Sequence, residues 1–136
     1  MMRVPSRYSY MTTMHQLEVG DEEGHVLIIF EQKAIYFDEI SGGRSVDRGV
    51  GFMDINPNKP EEIFNQGYGV YTDKDGDKII RTYKGRPVAK GQWKGVWTIK
   101  SGTGKYEGAK GGGTWESHLL APKQSYVEVV GEIETP

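Results

Sequence analysis

Cysteine is absent from this chain of 136 residues. Its absence excludes disulfide bonds, thiolate metal sites and cysteine nucleophiles, although it leaves the redox compartment open. No apolar run approaches the roughly 20 residues of a membrane span, and the residues from Met1 to Ser6 lack the apolar centre of a signal peptide. We therefore expect a soluble protein with no membrane partner, cytoplasmic as the chain is written and exported if a leader has been removed.

The chain also lacks a large excess of either positive or negative charge. The chain has 17 Lys and Arg residues against 19 Asp and Glu, a formal net charge of -2, whereas a nucleic-acid binder usually carries a basic excess on one face. The 3 histidines form no H-x-H or H-E-x-x-H pattern, and no dinucleotide, phosphate-loop or nucleophile-elbow motif occurs. We therefore expect no nucleic-acid partner, no metal and no cofactor.

Glycine, by contrast, is abundant, and the 19 glycines are spread along the chain rather than gathered in one linker. The glycines separate segments that are rich in β-branched and aromatic residues, and such segments indicate short strands. The predicted strands are Tyr10–Val19, His25–Phe37, Ser45–Ile55, Phe64–Thr72, Lys78–Lys84, Gly91–Lys100, Gly113–Leu120 and Ser125–Glu134. Helical periodicity is nearly absent, and only single turns are expected, at residues 60–63 and 105–108.

Strands joined by short connections without helices predict an all-β fold in a single domain spanning residues 1–136. An eight-stranded antiparallel up-and-down barrel is the preferred architecture because closure removes exposed strand edges. A two-sheet sandwich is the alternative. We also expect an irregular N-terminal arm at residues 1–9, a tight hairpin at Asp73–Asp77, and a lid or oligomer contact in the proline-rich connection from Asn56 to Gln66.

Alternation within the predicted strands places several aromatic residues inside the barrel. Trp93 and Trp97 share a face with Gly95, because successive side chains of a strand point to opposite sides. Lys94 and Lys100 mark the other face as the outer one. The missing side chain at Gly95 leaves a gap that either a neighbouring side chain or a ligand must fill.

An inward arginine is predicted on the strand that begins at Lys78. Arg81 and Tyr83 face inward if the lysines of this strand face water, and a buried guanidinium requires a carboxylate, a carbonyl or an anionic ligand as partner. Glu31 is a candidate partner if it faces inward. Its strand is apolar on both faces, which suggests that one face packs the core and the other a second copy, so we expect a homo-oligomer, dimeric or trimeric.

Near the C terminus, alternation places Trp115 and Ser117 on the inner face of a strand and Glu116 and His118 on the other. A histidine beside a carboxylate is common in general acid/base catalysis, whereas the simpler interpretation is an exposed or interface pair. The candidate catalytic residues are Arg81, Glu31, Glu116 and His118, and the candidate ligand-binding residues are Trp93, Trp97, Trp115, Tyr83 and Arg81.

A glycine-rich segment is the most distinctive part of the sequence. It reads Gly95-Val96-Trp97-Thr98-Ile99, then Gly102-Thr103-Gly104-Lys105-Tyr106-Glu107-Gly108-Ala109-Lys110-Gly111, then Gly113-Thr114-Trp115. This pattern resembles the connection between two late strands in allene oxide cyclase-like and dirigent-like barrels, in type closer to their uncharacterised bacterial members than to the plant enzymes. The resemblance implies an eight-stranded barrel, often dimeric or trimeric, with an elongated apolar cavity open at one end. Characterised members of that superfamily cyclise oxygenated fatty acids or polyketides, or steer the radical coupling of phenols.

Three functions are compatible with these features. The first, which we prefer, is binding of a small apolar or aromatic ligand in an aromatic-lined cavity, with Arg81 oriented toward a carboxylate or enolate. The second is a cofactor-free cyclase or isomerase acting on a polyene or phenolic substrate, in which Arg81 or Glu31 stabilises developing charge. The third is a filled barrel that acts through its surface, because aromatic residues most often pack cores.

Overall fold

The computed structural model describes residues 2–3, 6–38 and 43–136. In this part of the chain, antiparallel strands follow one another with almost no helix. The strands are β1 (Met2–Arg3), β2 (Arg7–Glu18), β3 (Val26–Asp38), β4 (Gly43–Ile55), β5 (Phe64–Thr72), β6 (Lys78–Ala89), β7 (Gln92–Gly102), β8 (Lys110–Ala121) and β9 (Gln124–Glu134). From β2 to β9 each strand pairs with the next, and β9 also pairs with β2, so these eight strands close into a barrel.

The predicted up-and-down barrel is confirmed, and the alternative sandwich is wrong because β9 pairs with both β8 and β2. The N-terminal arm is shorter than predicted. Arg7–Ser9 belong to β2, in which Ser9 is buried while Tyr8 is 70% exposed, and Met2–Arg3 pair with β9. Residues 1, 4 and 5 of the predicted arm lie outside the described residues.

Glycine misled the prediction of two strand boundaries. β6 continues past Lys84 to Ala89, and β8 begins at Lys110 rather than Gly113. Inside β6, Gly85 stands directly opposite Gly95 of β7. Glycine therefore occurs within paired strands of this barrel as well as in its turns.

One end of the barrel is filled with packed side chains. A buried cluster occupies it, consisting of Ala34, Tyr71, Ile79, Trp97, Tyr106, Ala109 and Ile133. Tyr106 comes from a single 3-10 turn, Gly104–Tyr106, that connects β7 to β8, and its side chain is only 2% exposed. This turn therefore closes the barrel at the end where β7 finishes and β8 begins.

Asp73 fixes the hairpin between β5 and β6 at the closed end. Its Oδ1 accepts hydrogen bonds from the backbone N–H groups of Asp75 (2.9 Å) and Asp77 (3.1 Å). Its Oδ2 accepts one from the Tyr106 hydroxyl (2.8 Å) and pairs with Lys105 Nζ (2.7 Å). Burial alone would raise the pKa of Asp73, but the hydrogen bonds from Lys105 and Tyr106 outweigh it and hold the pKa below its ordinary value. The predicted hairpin is confirmed.

Large inward side chains lie over glycines of strands that are one or two places away in the barrel. The pairs are Trp97 over Gly131, Trp115 over Gly85 and Gly95, Tyr83 over Gly51 and Gly67, and Arg81 over Gly69. The gap predicted at Gly95 is therefore filled by Trp115, because a Cβ at Gly95 would lie 2.6 Å from Trp115 Cε2. Since these side chains cover the wall, the space along the barrel axis stays open above the packed end.

Gly85→Ala is expected to lower the free energy of unfolding by about 1–3 kcal/mol, the usual cost of overpacking. The new methyl group would lie 2.7 Å from Trp115 Cη2 and 2.6 Å from the Lys94 carbonyl oxygen. Gly49→Ala is the control, because its methyl group meets first the flexible Gln32 side chain, at 3.0 Å. Urea unfolding measures both variants, and equal losses would contradict this interpretation of the wall.

Candidate functional site: a cavity in the open half of the barrel

The half of the barrel opposite the packed end encloses a cavity of about 260 Å³. One wall is aromatic and comprises Tyr83 of β6, Trp93 and Trp97 of β7 and Trp115 of β8. All 3 tryptophans of the chain thus line the cavity. The sequence-predicted ligand-binding residues therefore share one interior surface, as expected from their alternation. An apolar cavity of roughly 150 Å³ can hold benzene, so this space suits a ligand of one or two rings.

Small polar groups line the cavity as well. Ser9 of β2 donates a hydrogen bond to Gln32 Oε1 of β3 at 3.2 Å, and Ser117 of β8 and Ser125 of β9 also line the cavity. Ser9 stands directly opposite Ser125 in the β2–β9 ladder. The cavity therefore offers a ligand an aromatic face and an edge of hydrogen-bonding groups.

Two arginines and one aspartate lie where the cavity meets the packed end. Arg81 Nη2 bonds to Asp47 Oδ1 at 2.8 Å, and Arg7 Nε lies 3.9 Å from Asp47 Oδ2. Burial alone would raise the pKa of Asp47, but the two guanidiniums outweigh it and hold the pKa below its ordinary value. Asp47 is thus ionised and is the carboxylate partner of Arg81. The sequence had suggested Glu31 as that partner, which is wrong.

Glu31 instead lies on the outer face of β3. Its carboxylate accepts hydrogen bonds from the Arg48 guanidinium (2.6 Å) and from the Thr12 hydroxyl. The hydrogen bond from Thr12, which has the larger effect, and that from Arg48 lower the pKa of Glu31. The sequence left the orientation of β3 ambiguous because both faces of the strand are apolar. In the structure, the buried side chains of Phe30 and Ala34 identify the inner face.

Glu116 and His118 also lie outside the barrel. His118 Nε2 is 3.4 Å from Glu116 Oε1, and Lys94 Nζ is 3.7 Å from Glu116 Oε2. Glu128 of β9 stands opposite Glu116, and one ligand atom from each of Glu116, His118 and Glu128 lies within 4.8 Å of the others. Among the described residues this trio, with Glu116 and His118 half-buried and Glu128 exposed, could hold a metal ion. The sequence did not predict it because Glu128 comes from the next strand. Of the candidate catalytic residues, Arg81 is the one in the cavity.

The rim of the cavity is formed by hairpins and strand ends. Gly91 and Lys123 line it from the β6–β7 and β8–β9 turns, and Met53 and Asn65 from the strands that flank the proline-rich connection. Of the predicted connection, residues 56–63 do not line the cavity, whereas Asn65, which belongs to β5, does. Asn56 is buried and donates to Glu22 of the β2–β3 loop instead, so the connection is tied to a neighbouring loop rather than folded over the opening as a lid.

His25 ties the β2–β3 loop to the end of β4 beside this rim. Its Nε2 lies 2.6 Å from Asp54 Oδ1, and its Nδ1 lies 2.7 Å from Asp21 Oδ1. The hydrogen bond to Asp54, followed by that to Asp21, raises the pKa of His25 above its ordinary value. The imidazolium between two carboxylates therefore stabilises the folded loop.

The His25 contacts predict a pH dependence of stability. Because the pKa of His25 is higher in the folded than in the unfolded chain, its contribution is complete below the unfolded value of about 6.5 and is lost as the pH rises through the folded value. In the wild type, the free energy of unfolding should therefore fall as the pH rises through this range, and in His25→Gln this pH dependence should be absent. An NMR titration should give a lower His25 pKa in Asp54→Asn, and a wild-type pKa at or below the ordinary value would contradict the ion pairs.

Comparison with known proteins identified no relative of this chain. No protein-family model, no curated protein and no solved structure matches it. The closed barrel agrees with the fold that the resemblance to allene oxide cyclase-like and dirigent-like proteins implied, and membership of that superfamily stays a prediction. No helix in the described residues has the length and apolar character needed to cross a membrane.

Sequence reasoning missed several cavity residues. Arg7 fell in the predicted arm, and Asp47 was not considered because no other residue of β4 suggested which face it takes. Asn65 lies at the start of β5, buried and at the cavity wall. Val46 and Arg48, on the other face of the strand, are both exposed, but since one is apolar and the other charged, the sequence carries no signal that places Asp47 inside.

Proposed function

We propose that this protein binds a small apolar or aromatic molecule inside its barrel. The observation that carries the proposal is the division of the barrel into a packed end and a cavity of about 260 Å³ with an aromatic wall. Ligand sites are typically concave and mostly apolar, with a few polar groups that orient the ligand. Both features are present in this cavity.

The arrangement of large side chains supports binding over a filled barrel. The Tyr83 hydroxyl and the Trp115 indole lie over glycines of strands that are one or two places away instead of projecting across the axis. Binding is also favoured over catalysis, because Glu31, Glu116 and His118 lie on the outer surface, away from the cavity. A cyclase or isomerase would have to work with Arg81, its neighbours and the shape of the cavity alone.

Isothermal titration calorimetry with naphthalene tests the proposal. For a ligand of this size we expect a Kd of roughly 0.01–1 mM. Ser117→Phe places a ring in the cavity and should abolish binding, whereas Thr114→Phe, at an exposed position of the same strand, should not. Absence of binding to the wild-type protein, or equal binding by the two variants, would refute the proposal.

We also propose that the protein is a homo-oligomer that uses the outer face of β3 and its neighbour β4. Apolar side chains on this face are exposed, with Ile29 at 50%, Ile35 at 61% and Val46 at 45%. Single exposed apolar residues are ordinary, but a group on adjacent strands is typical of an interface. Light scattering after gel filtration should give a dimer or trimer that Ile35→Lys dissociates, and a wild-type monomer would contradict it.

A further inference from the structure

Among the described residues, the charged side chains that line the cavity are all cationic. They are Arg7, Arg81 and Lys123, and no Asp or Glu is found among the described residues of the lining. Arg7 and Arg81 lie deep, at the boundary with the packed end, while Lys123 lies in the β8–β9 turn at the rim. A cavity lined by charge of one sign concentrates ligands of the opposite sign.

One counter-ion of the two deep arginines, Asp47, lies in the wall behind them. The Asp47 side chain is 4% exposed and does not line the cavity, whereas the side chains of Arg81 and Arg7 are 9% and 11% exposed and do. Asp47 Oδ2 accepts no hydrogen bond from the described residues. The surface that faces a ligand at this depth is therefore guanidinium, with the carboxylate held behind it.

The position of Arg81 is also fixed by its surroundings. A Cβ at Gly69 would lie 2.5 Å from Arg81 Cζ, so the guanidinium rests on the β5 backbone. Arg81 lies beside Tyr83 in the alternation of β6, next to the aromatic wall. Burial raises the pKa of the Tyr83 hydroxyl, which therefore stays neutral and adds no negative charge to this region.

We propose that the ligand is a small aromatic carboxylate, with its ring against the tryptophan wall and its carboxylate directed at Arg7 and Arg81. A guanidinium presents donors in a planar fork that matches the two oxygens of a carboxylate. The hydroxyls of Ser117 and Ser125 also line the cavity and supply further donors. This inference rests on the proposed function and adds to it the charge and chemical class of the ligand.

Calorimetry with three matched probes tests the inference. Naphthalene reports on the apolar cavity alone, 2-naphthamide adds a neutral polar group, and 2-naphthoate adds a carboxylate of nearly the same shape. We expect 2-naphthoate to bind at least about tenfold more tightly than 2-naphthamide, because hydrogen bonds between charged groups are stronger than neutral ones. Equal affinities, or tighter binding of the amide, would overturn the inference while leaving the proposed function intact.

Variants locate the charge that is recognised. Arg7→Met should weaken 2-naphthoate binding about tenfold and leave naphthalene within about threefold, and Arg48→Met, a half-exposed arginine on the outer face, is the control. Asp47→Asn should tighten 2-naphthoate binding, since it removes the competing carboxylate. A preference for the carboxylate that survives Arg7→Met and disappears in Lys123→Met would overturn the deep site. If naphthalene does not bind the wild type either, the proposed function fails together with the inference.

Discussion

Trp97→Ala should lower the free energy of unfolding by about 3–5 kcal/mol, the cost of removing a large aromatic side chain from a packed core. Trp97 is 4% exposed, belongs to the buried cluster of the closed end, and donates its indole N–H to the Val130 carbonyl oxygen at 3.3 Å. Although it also lines the cavity, most of its surroundings are protein. Urea unfolding followed by circular dichroism measures the loss.

Trp93→Ala is the matched variant, because Trp93 lies on the same face of β7 but toward the open end. Removing it should cost about 1 kcal/mol or less in stability, since part of its surface faces the cavity rather than packed atoms. Naphthalene affinity should fall instead. Comparable losses of stability in the two variants would mean that the barrel is filled throughout.

Asp73→Ala should lower the free energy of unfolding by a similar amount, about 3–5 kcal/mol. The substitution leaves the backbone N–H groups of Asp75 and Asp77 and the hydroxyl of Tyr106 without their acceptor. It also removes the anion that Lys105 contacts at 2.7 Å. Because Tyr106 plugs the closed end, the loss should extend to the packing beneath it.

Asp75→Ala is the control for Asp73. Asp75 belongs to the same hairpin and also pairs with Lys105, at 3.0 Å, but its side chain is 56% exposed. Ion pairs at such exposed positions contribute about 1 kcal/mol at most. If Asp73→Ala were no more costly than Asp75→Ala, the hydrogen-bonded aspartate would not be what holds the hairpin.

The fold could be predicted largely from local patterns. Alternation of lysines with apolar residues placed Trp93, Trp97 and Arg81 correctly, because one side of each strand was plainly polar. The hairpin at Asp73 was recognisable from its Asp-Gly turn chemistry. Strand ends were missed where glycine lies inside a strand, since local sequence does not distinguish a glycine that makes a turn from one that lies under an indole.

The site was predicted only in part, because its charged groups meet across distant strands. Arg81 was placed inside, but its partner Asp47 lies 34 positions away in sequence, and Arg7 reaches the same carboxylate from the first strand of the barrel. Glu31 was an equally reasonable partner until the facing of β3 was known. Which carboxylate meets which arginine depends on the register of the closed barrel, which no single strand specifies.

A ¹H–¹⁵N correlation spectrum recorded during titration with naphthalene tests the central claim, a barrel packed at one end and open to a ligand at the other. The indole N–H signals of Trp93 and Trp115 and the amide signals of Met53 and Ser117 should shift together, because all four residues line the cavity. The amide signals of Ala109 and other residues of the closed end should stay in place. Shifts confined to outer-surface positions, or none at saturating naphthalene, would contradict the account.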